Sequence, residues 1–162
     1  MGKAKIKIDI KQLKRLQTNM NKLNESQVQE FIEGVAKELA ARLLAKVIKR
    51  TPVGQYPKSS GKKGGTLRRG WTAQNSEGTG AASNATQYAN SLKVHHFGGT
   101  YVVEIVNPVY YASYVEFGHR TRDGEGWVEG RFMLTISEQE LESDAPKVIE
   151  RKLKNILGEL FE

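Results

Sequence analysis

Residues 26–52 read SQVQEFIEGVAKELAARLLAKVIKRTP, and this stretch decides the fold. Val28, Phe31, Ile32, Val35, Leu39, Leu43 and Val47 recur at three- and four-residue steps, which lines one apolar stripe along a helix of roughly five turns or more. Ser26 and Gln29 have capping-box spacing at its start. Pro52 cannot continue a helix and disfavours helical geometry at Thr51, so the element ends there. A helix this long with one buried face needs a sheet or further helices to cover it.

The rest of the chain supplies them. Before it, residues 3–8 alternate lysine with small or apolar residues, as a short edge strand does, and Asp9 to about Leu23 repeats Ile10, Leu13, Leu16, Met20 and Leu23 at helical spacing. After it, residues 54–65 have loop chemistry throughout, Leu67 to Asn75 is expected to open a sheet, and Glu77 to Asn84 reads as a second polar loop. Tyr88 to Asn107 reads as a hairpin turning at Gly98-Gly99, with Tyr101, Val103 and Ile105 on one face. Asn107-Pro108 resembles a helix start, leading through Tyr110, Tyr111, Tyr114, Val115 and Phe117 to a stop at Gly118.

Residues 119–130 form a third polar loop. Phe132, Met133 and Ile136 then open a last helical region that restarts at Asp144-Ala145-Pro146, with Ile149, Leu153, Ile156, Leu157 and Leu160 as its stripe. The expected class is α+β: an antiparallel sheet packed against the long helix and a C-terminal helix, with long mobile loops. The expected domain is single, 1–162, with residues 1–24 as a strand/helix extension and 25–162 as the core.

Composition narrows the function. The chain has 162 residues, a length at which about 68–70% of the unfolded surface can be buried in one domain. It has no cysteine, which excludes disulfides, thiolate zinc sites and a cysteine nucleophile. No apolar run approaches the roughly 20 residues of a membrane span, and the basic start has no apolar signal core behind it, so a soluble intracellular protein without membrane contact is expected. Residues 1–70 hold 17 Lys/Arg and 5 Asp/Glu, a net of +12; residues 71–162 hold 8 and 13, a net of −5. Either the two halves stay apart and attract a polyanion or further copies head to tail, or the fold interleaves them.

Catalytic chemistry is hard to find. His95 and His96 adjoin on a strand and point to opposite faces, and with Glu116 and His119 they match no metal-ligand spacing. Ser59 and Ser60 lack the strand-to-helix elbow of a catalytic serine, and Glu104, Glu116 and Asp123 do not form a hydrolytic carboxylate pair. Gly61-Lys62-Lys63-Gly64-Gly65-Thr66 fails the spacing and context of a phosphate-binding loop. No cofactor, metal or enzymatic activity is expected. What remains is a basic cluster, Lys58, Lys62, Lys63, Arg68 and Arg69, suited to non-specific contact with phosphates. The aromatic group Tyr110, Tyr111, Tyr114 and Phe117 divides between core and protein contact.

Two stretches together resemble a known family. One is Thr51-Pro52-Val53-Gly54 leading through the basic loop to Gly65-Thr66-Leu67-Arg68-Arg69-Gly70-Trp71. The other is Asn107-Pro108-Val109-Tyr110-Tyr111-Ala112-Ser113-Tyr114-Val115-Glu116-Phe117-Gly118-His119, followed by Phe132-Met133. In order and spacing they are similar to the small neck or tail-component proteins of tailed bacteriophages and prophages, called tail-completion or head–tail joining proteins. Many members have threonine where this chain has His119.

The resemblance implies a virion structural protein without catalysis, assembled in the bacterial host cytoplasm into a homo-oligomeric ring, a hexamer, at the head–tail junction. Its implied partners are itself, the head connector or adaptor and the tail tube, with transient contact to packaged DNA. A tail terminator is the alternative within the family. Lys58, Lys62, Lys63, Arg68 and Arg69 would face the channel or a partner ring, and Tyr110, Tyr111, Tyr114, Glu116 and Phe117 would form the subunit interface or motif core. The alternative outside the family is a non-specific nucleic-acid-binding protein using loop 58–69.

Overall fold

A computed structural model of the chain describes residues 6–8 and 25–161, with side chains over 25–158. The elements are β1 (Ile6–Ile8), α1 (Glu25–Arg50), a 3-10 turn (Lys58–Ser60), α2 (Thr66–Gly70), α3 (Ala85–Ser91), β2 (Val94–Phe97), β3 (Thr100–Val103), α4 (Ala112–Phe117), β4 (Gly118–Arg120), β5 (Trp127–Glu129) and α5 (Met133–Phe161). The class is α+β as expected. The helix expected over Asp9–Leu23 lies outside the described residues.

The stripe of α1 is buried along its length, from Val28 to Val47, and Val35, Leu43, Leu44 and Val47 have no exposed surface at all. Against it pack Tyr101 and Val103 of β3, then Ile105, Val109, Met133 and Leu134. The capping box does not form: Ser26 lies inside the helix, and the Gln29 amide donates instead to Glu33 at 2.9 Å and accepts from the Tyr101 hydroxyl at 3.1 Å. At the other end α1 stops where Pro52 requires. Thr51 is fully buried there, and its hydroxyl donates to the Val47 carbonyl at 2.6 Å while accepting the Trp71 indole N–H at 2.8 Å. The Thr51 carbonyl accepts both Nε and Nη2 of Arg68, at 3.1 and 2.7 Å.

That bond set explains the first departure from expectation. Leu67 to Asn75 does not start a sheet: Thr66–Gly70 is a helical turn, closed by Arg69 N–H to the Gly65 carbonyl at 2.9 Å. Leu67 and Trp71 are both buried, and a four-residue separation puts two side chains on one side of a helix or of a strand alike. The hairpin is also shorter than expected. Ala85–Ser91 is a helix capped by Asn84, whose Oδ1 accepts the Gln87 N–H at 2.7 Å, and only Val94–Phe97 and Thr100–Val103 pair around Gly98-Gly99. β1 adds to the far edge of β3, giving an antiparallel sheet ordered β1-β3-β2.

The third polar loop contains a second sheet, β4 paired antiparallel with β5. The last helix does not restart at residue 144 but runs unbroken through Pro146. Proline removes one backbone bond there. Leu141 and Val148, buried on either side, hold the helix on course.

α1 and α5 lie antiparallel and are laced by charge. Lys46 reaches Glu140 and Asp144, each at 3.2 Å; Arg50 reaches Glu140 at 2.6 Å; Lys152 reaches Glu38 at 3.1 Å, and Arg151 pairs with Glu38 as well. The basic and acidic halves of the sequence are thus interleaved along this seam.

Candidate assembly interface

The segment 107–118 is built around a buried asparagine. Asn107 does not cap a helix directly. Its Oδ1 accepts the Val109 N–H at 3.2 Å, and its Nδ2 donates to the Leu67 carbonyl at 2.8 Å, tying this segment to α2. Helix α4 begins five residues later, at Ala112. Val109, Ala112 and Glu116 turn inward and are buried. Tyr110, Tyr114 and Phe117, at four- and three-residue steps, turn outward and are 68%, 55% and 62% exposed. The expected aromatic group therefore splits: Tyr111 packs on the core, and three of the four rings stand in solvent.

Glu116 is not a surface residue either. It is only 5% exposed, and its carboxylate accepts the N–H groups of Leu134 and Thr135, each at 2.9 Å, and the Thr135 hydroxyl at 2.8 Å. It caps the start of α5 from another element, satisfying donors that a helix N-terminus leaves free and complementing its dipole. Arg131 and Phe132 donate backbone N–H groups to the Val115 and Glu116 carbonyls, at 2.8 and 3.0 Å, holding Phe132 at φ 46°. Gly118 ends α4 at φ 85°, and a Cβ there would lie 2.4 Å from the Val128 carbonyl, so no other residue fits.

The chain that follows is exposed from Arg122 to Glu129. All three residues of β5 are exposed, with Trp127 at 55%, and a two-stranded ribbon of this kind is marginal without a covering partner. Phe132 and Ile136 stand one helical turn apart just beyond it, both exposed. Of ten exposed large apolar side chains among the described residues, seven fall between Tyr110 and Ile136, on adjoining elements. Such a concentration makes this stretch the candidate interaction surface. Sequence reasoning does not assign Trp127, Val128, Phe132 and Ile136 to it, because polar neighbours hide any periodicity.

The basic residues do not act as one group. Lys58, Lys62 and Lys63 are exposed on the loop. Arg68 is half-buried and committed to the Thr51 carbonyl. Arg69 is exposed and donates to the Gly64 carbonyl at 3.3 Å. Burial raises the Tyr111 pKa, Tyr56 and Tyr110 raise it further, and the Arg69 guanidinium acts the other way, so Tyr56 and Arg69 lie near Tyr111.

The remaining candidates have structural occupations. His96 stacks on Tyr101 at 4.3 Å, and His119 sits edge-on to Tyr114 at 5.8 Å. Ser60 closes its own 3-10 turn onto the Pro57 carbonyl at 2.7 Å. Asp123 accepts the Thr121 hydroxyl and the Glu125 N–H in a loop turn. Among the described residues no three histidine or acidic side chains converge as a metal site, and no helix is long and apolar enough to cross a membrane.

A family model described as bacteriophage HK97-gp10, tail component, matches residues 14–118, which include both the Thr51–Trp71 and the Asn107–Gly118 stretches. No curated protein and no solved structure matches the chain.

Proposed function

Because the chain belongs to the HK97-gp10-like family of bacteriophage tail components, we propose that it is a structural protein that closes into a homo-oligomeric ring at the head–tail junction and performs no catalysis. The supporting observation is the exposed apolar surface from Tyr110 to Ile136. A chain of net charge +7 leaves seven large apolar side chains in water here, and burial against a neighbour is the ordinary reason for such a surface. A ring needs a heterologous contact, in which this surface of one subunit meets a different face of the next and the contact repeats by rotation.

The sixfold symmetry, the head connector and tail tube as partners, and assembly in the host cytoplasm follow the family resemblance. Neck, tail-completion and tail-terminator positions all suit such a ring. The reading as a stand-alone nucleic-acid-binding protein is less well supported, since Arg68, one of its five cations, is spent inside the fold.

Deleting the gene from the phage or prophage that carries it tests the proposal by electron microscopy of the lysate. Filled heads and finished tails should accumulate unjoined. Intact virions at wild-type numbers would overturn the reading.

A further inference from the structure

From Leu39 to Ser76 the chain has nine Lys/Arg and no Asp or Glu. Three of the nine, Arg42, Lys46 and Arg50, are neutralised by Glu38, Glu140 and Asp144. A fourth, Arg68, is held on the Thr51 carbonyl. Lys49 is exposed at the end of α1, and among the described residues Lys58, Lys62, Lys63 and Arg69 have no carboxylate partner. The three lysines belong to the loop that joins α1 to α2, and Arg69 stands in α2 and bonds back to that loop.

This loop has a fixed base. A Cβ on Gly64 would sit 2.0 Å from the Gly54 carbonyl oxygen, so the two arms of the loop touch at backbone level where only glycine fits. Arg69 ties Gly64 from one side, and Thr51, Arg68 and Trp71 lock the chain on the other. The nine residues between present Lys58, Lys62 and Lys63, with the exposed Tyr56 ring 6.0 Å beneath the Lys62 ammonium. Cations on a pinned loop lose less freedom on binding than cations on a free tether.

We infer that loop 54–65, with Arg69, is a preformed contact for a nucleic-acid phosphate backbone, read without regard to base sequence. Its composition argues against a protein partner. Protein interfaces deplete lysine at their centre and need apolar side chains to bury; in loop 54–65 the one large exposed apolar side chain is Tyr56, against three lysines. Phosphate contacts need only positive charge, backbone N–H groups and hydroxyls, with an aromatic ring as an accessory. The inference is separable from ring formation because it rests on Lys58, Lys62, Lys63 and Arg69, none of which is among the exposed apolar side chains from Tyr110 to Ile136.

The test is anisotropy of a labelled random-sequence duplex of roughly 30 base pairs, titrated with the full chain between about 50 and 200 mM salt. Binding should weaken steeply. The variant carrying Lys58→Ala, Lys62→Ala and Lys63→Ala should flatten the log–log salt slope by about 2.7, at about 0.9 for each phosphate no longer neutralised. Arg69→Ala, measured separately, should flatten it by about 0.9. Replacing three exposed lysines without carboxylate partners should leave folding intact, which an unchanged melting curve confirms. No binding at about 50 mM salt, or a triple variant with the wild-type slope, overturns the inference. Polyglutamate that competes as well as unlabelled duplex also overturns it, in favour of an acidic protein surface. Light scattering of the same triple variant distinguishes this outcome from a failure of the ring, since assembly should be unaffected.

Discussion

The Glu116 carboxylate accepts the backbone N–H of Leu134 at 2.9 Å, joining the end of α4 to the start of α5 across eighteen positions of sequence. This bond makes the aromatic motif and the last helix one rigid unit, and so fixes where Tyr114 and Phe117 stand relative to Phe132 and Ile136. Replacing Glu116 removes a buried, charge-assisted cap with three donors. Glu116→Ala should cost about 2–3 kcal/mol, and Glu116→Gln, which keeps one acceptor oxygen, about half of that. Urea denaturation with an unchanged m-value measures both, and equal stabilities would show that the cap is dispensable.

Thr51 sets the opposite anchor. Thr51→Val keeps the volume but leaves the Trp71 indole N–H buried with no acceptor, at a cost of about 1–3 kcal/mol. Thr51→Ser keeps the hydroxyl and should stay within about 1 kcal/mol of wild type. The pair is compared by thermal melting, with tryptophan fluorescence reporting the environment of Trp71. Valine and serine variants of equal stability would remove the indole bond from the account.

Phe117 is 62% exposed, so Phe117→Ala should change the stability of the subunit by no more than about 0.5 kcal/mol. The same holds for Trp127→Ala. Both should nonetheless lower the solution mass found by light scattering, or abolish incorporation into particles where assembly waits for a docking site. Variants that assemble normally would show that this surface is not the contact.

The carboxylates of α1 and α5 predict two pH effects of opposite sign. Burial raises the Glu38 pKa, but Arg42, Lys152 and Arg151 outweigh it and hold it below the ordinary value; hydrogen bonds from Lys46 and Arg50 do the same for Glu140. A carboxyl lowered on folding stabilises above its unfolded pKa, about 4.3, and loses that contribution as pH falls through the folded value. Glu38→Gln should therefore flatten the acid limb of the stability profile. Glu138 is raised, by burial first and then by Glu116 and Glu142, so its contribution is lost as pH rises through its folded value. Glu138→Gln should stabilise at neutral pH and be silent at about pH 4. Identical profiles for wild type and both variants would contradict the argument.

The scaffold helix is legible in the sequence because one stripe from Val28 to Val47 satisfies a single periodicity, and Pro52 marks its end without ambiguity. The final helix is legible for the same reason, except at Pro146, where buried neighbours outweigh a local breaker. Helix α3 escapes such reading although its cap, Asn84 with Gln87 three residues on, stands in the sequence; a polar seven-residue helix with one buried alanine carries little periodicity. The β4–β5 pair escapes it because a strand exposed on both faces shows no alternation. At the candidate surface, the aromatic spacing of Tyr110, Tyr114 and Phe117 is plain from sequence. Periodicity has no means to show that Glu116 faces a helix start eighteen residues away, or that Arg68 is spent on Thr51.

The most direct test of the central claim is hydroxyl-radical footprinting of the free subunit and of the same chain within purified particles. The account predicts that Tyr110, Tyr114, Phe117 and Trp127 label readily in the free subunit and become protected on assembly. Equal labelling of these four side chains in both states would contradict it.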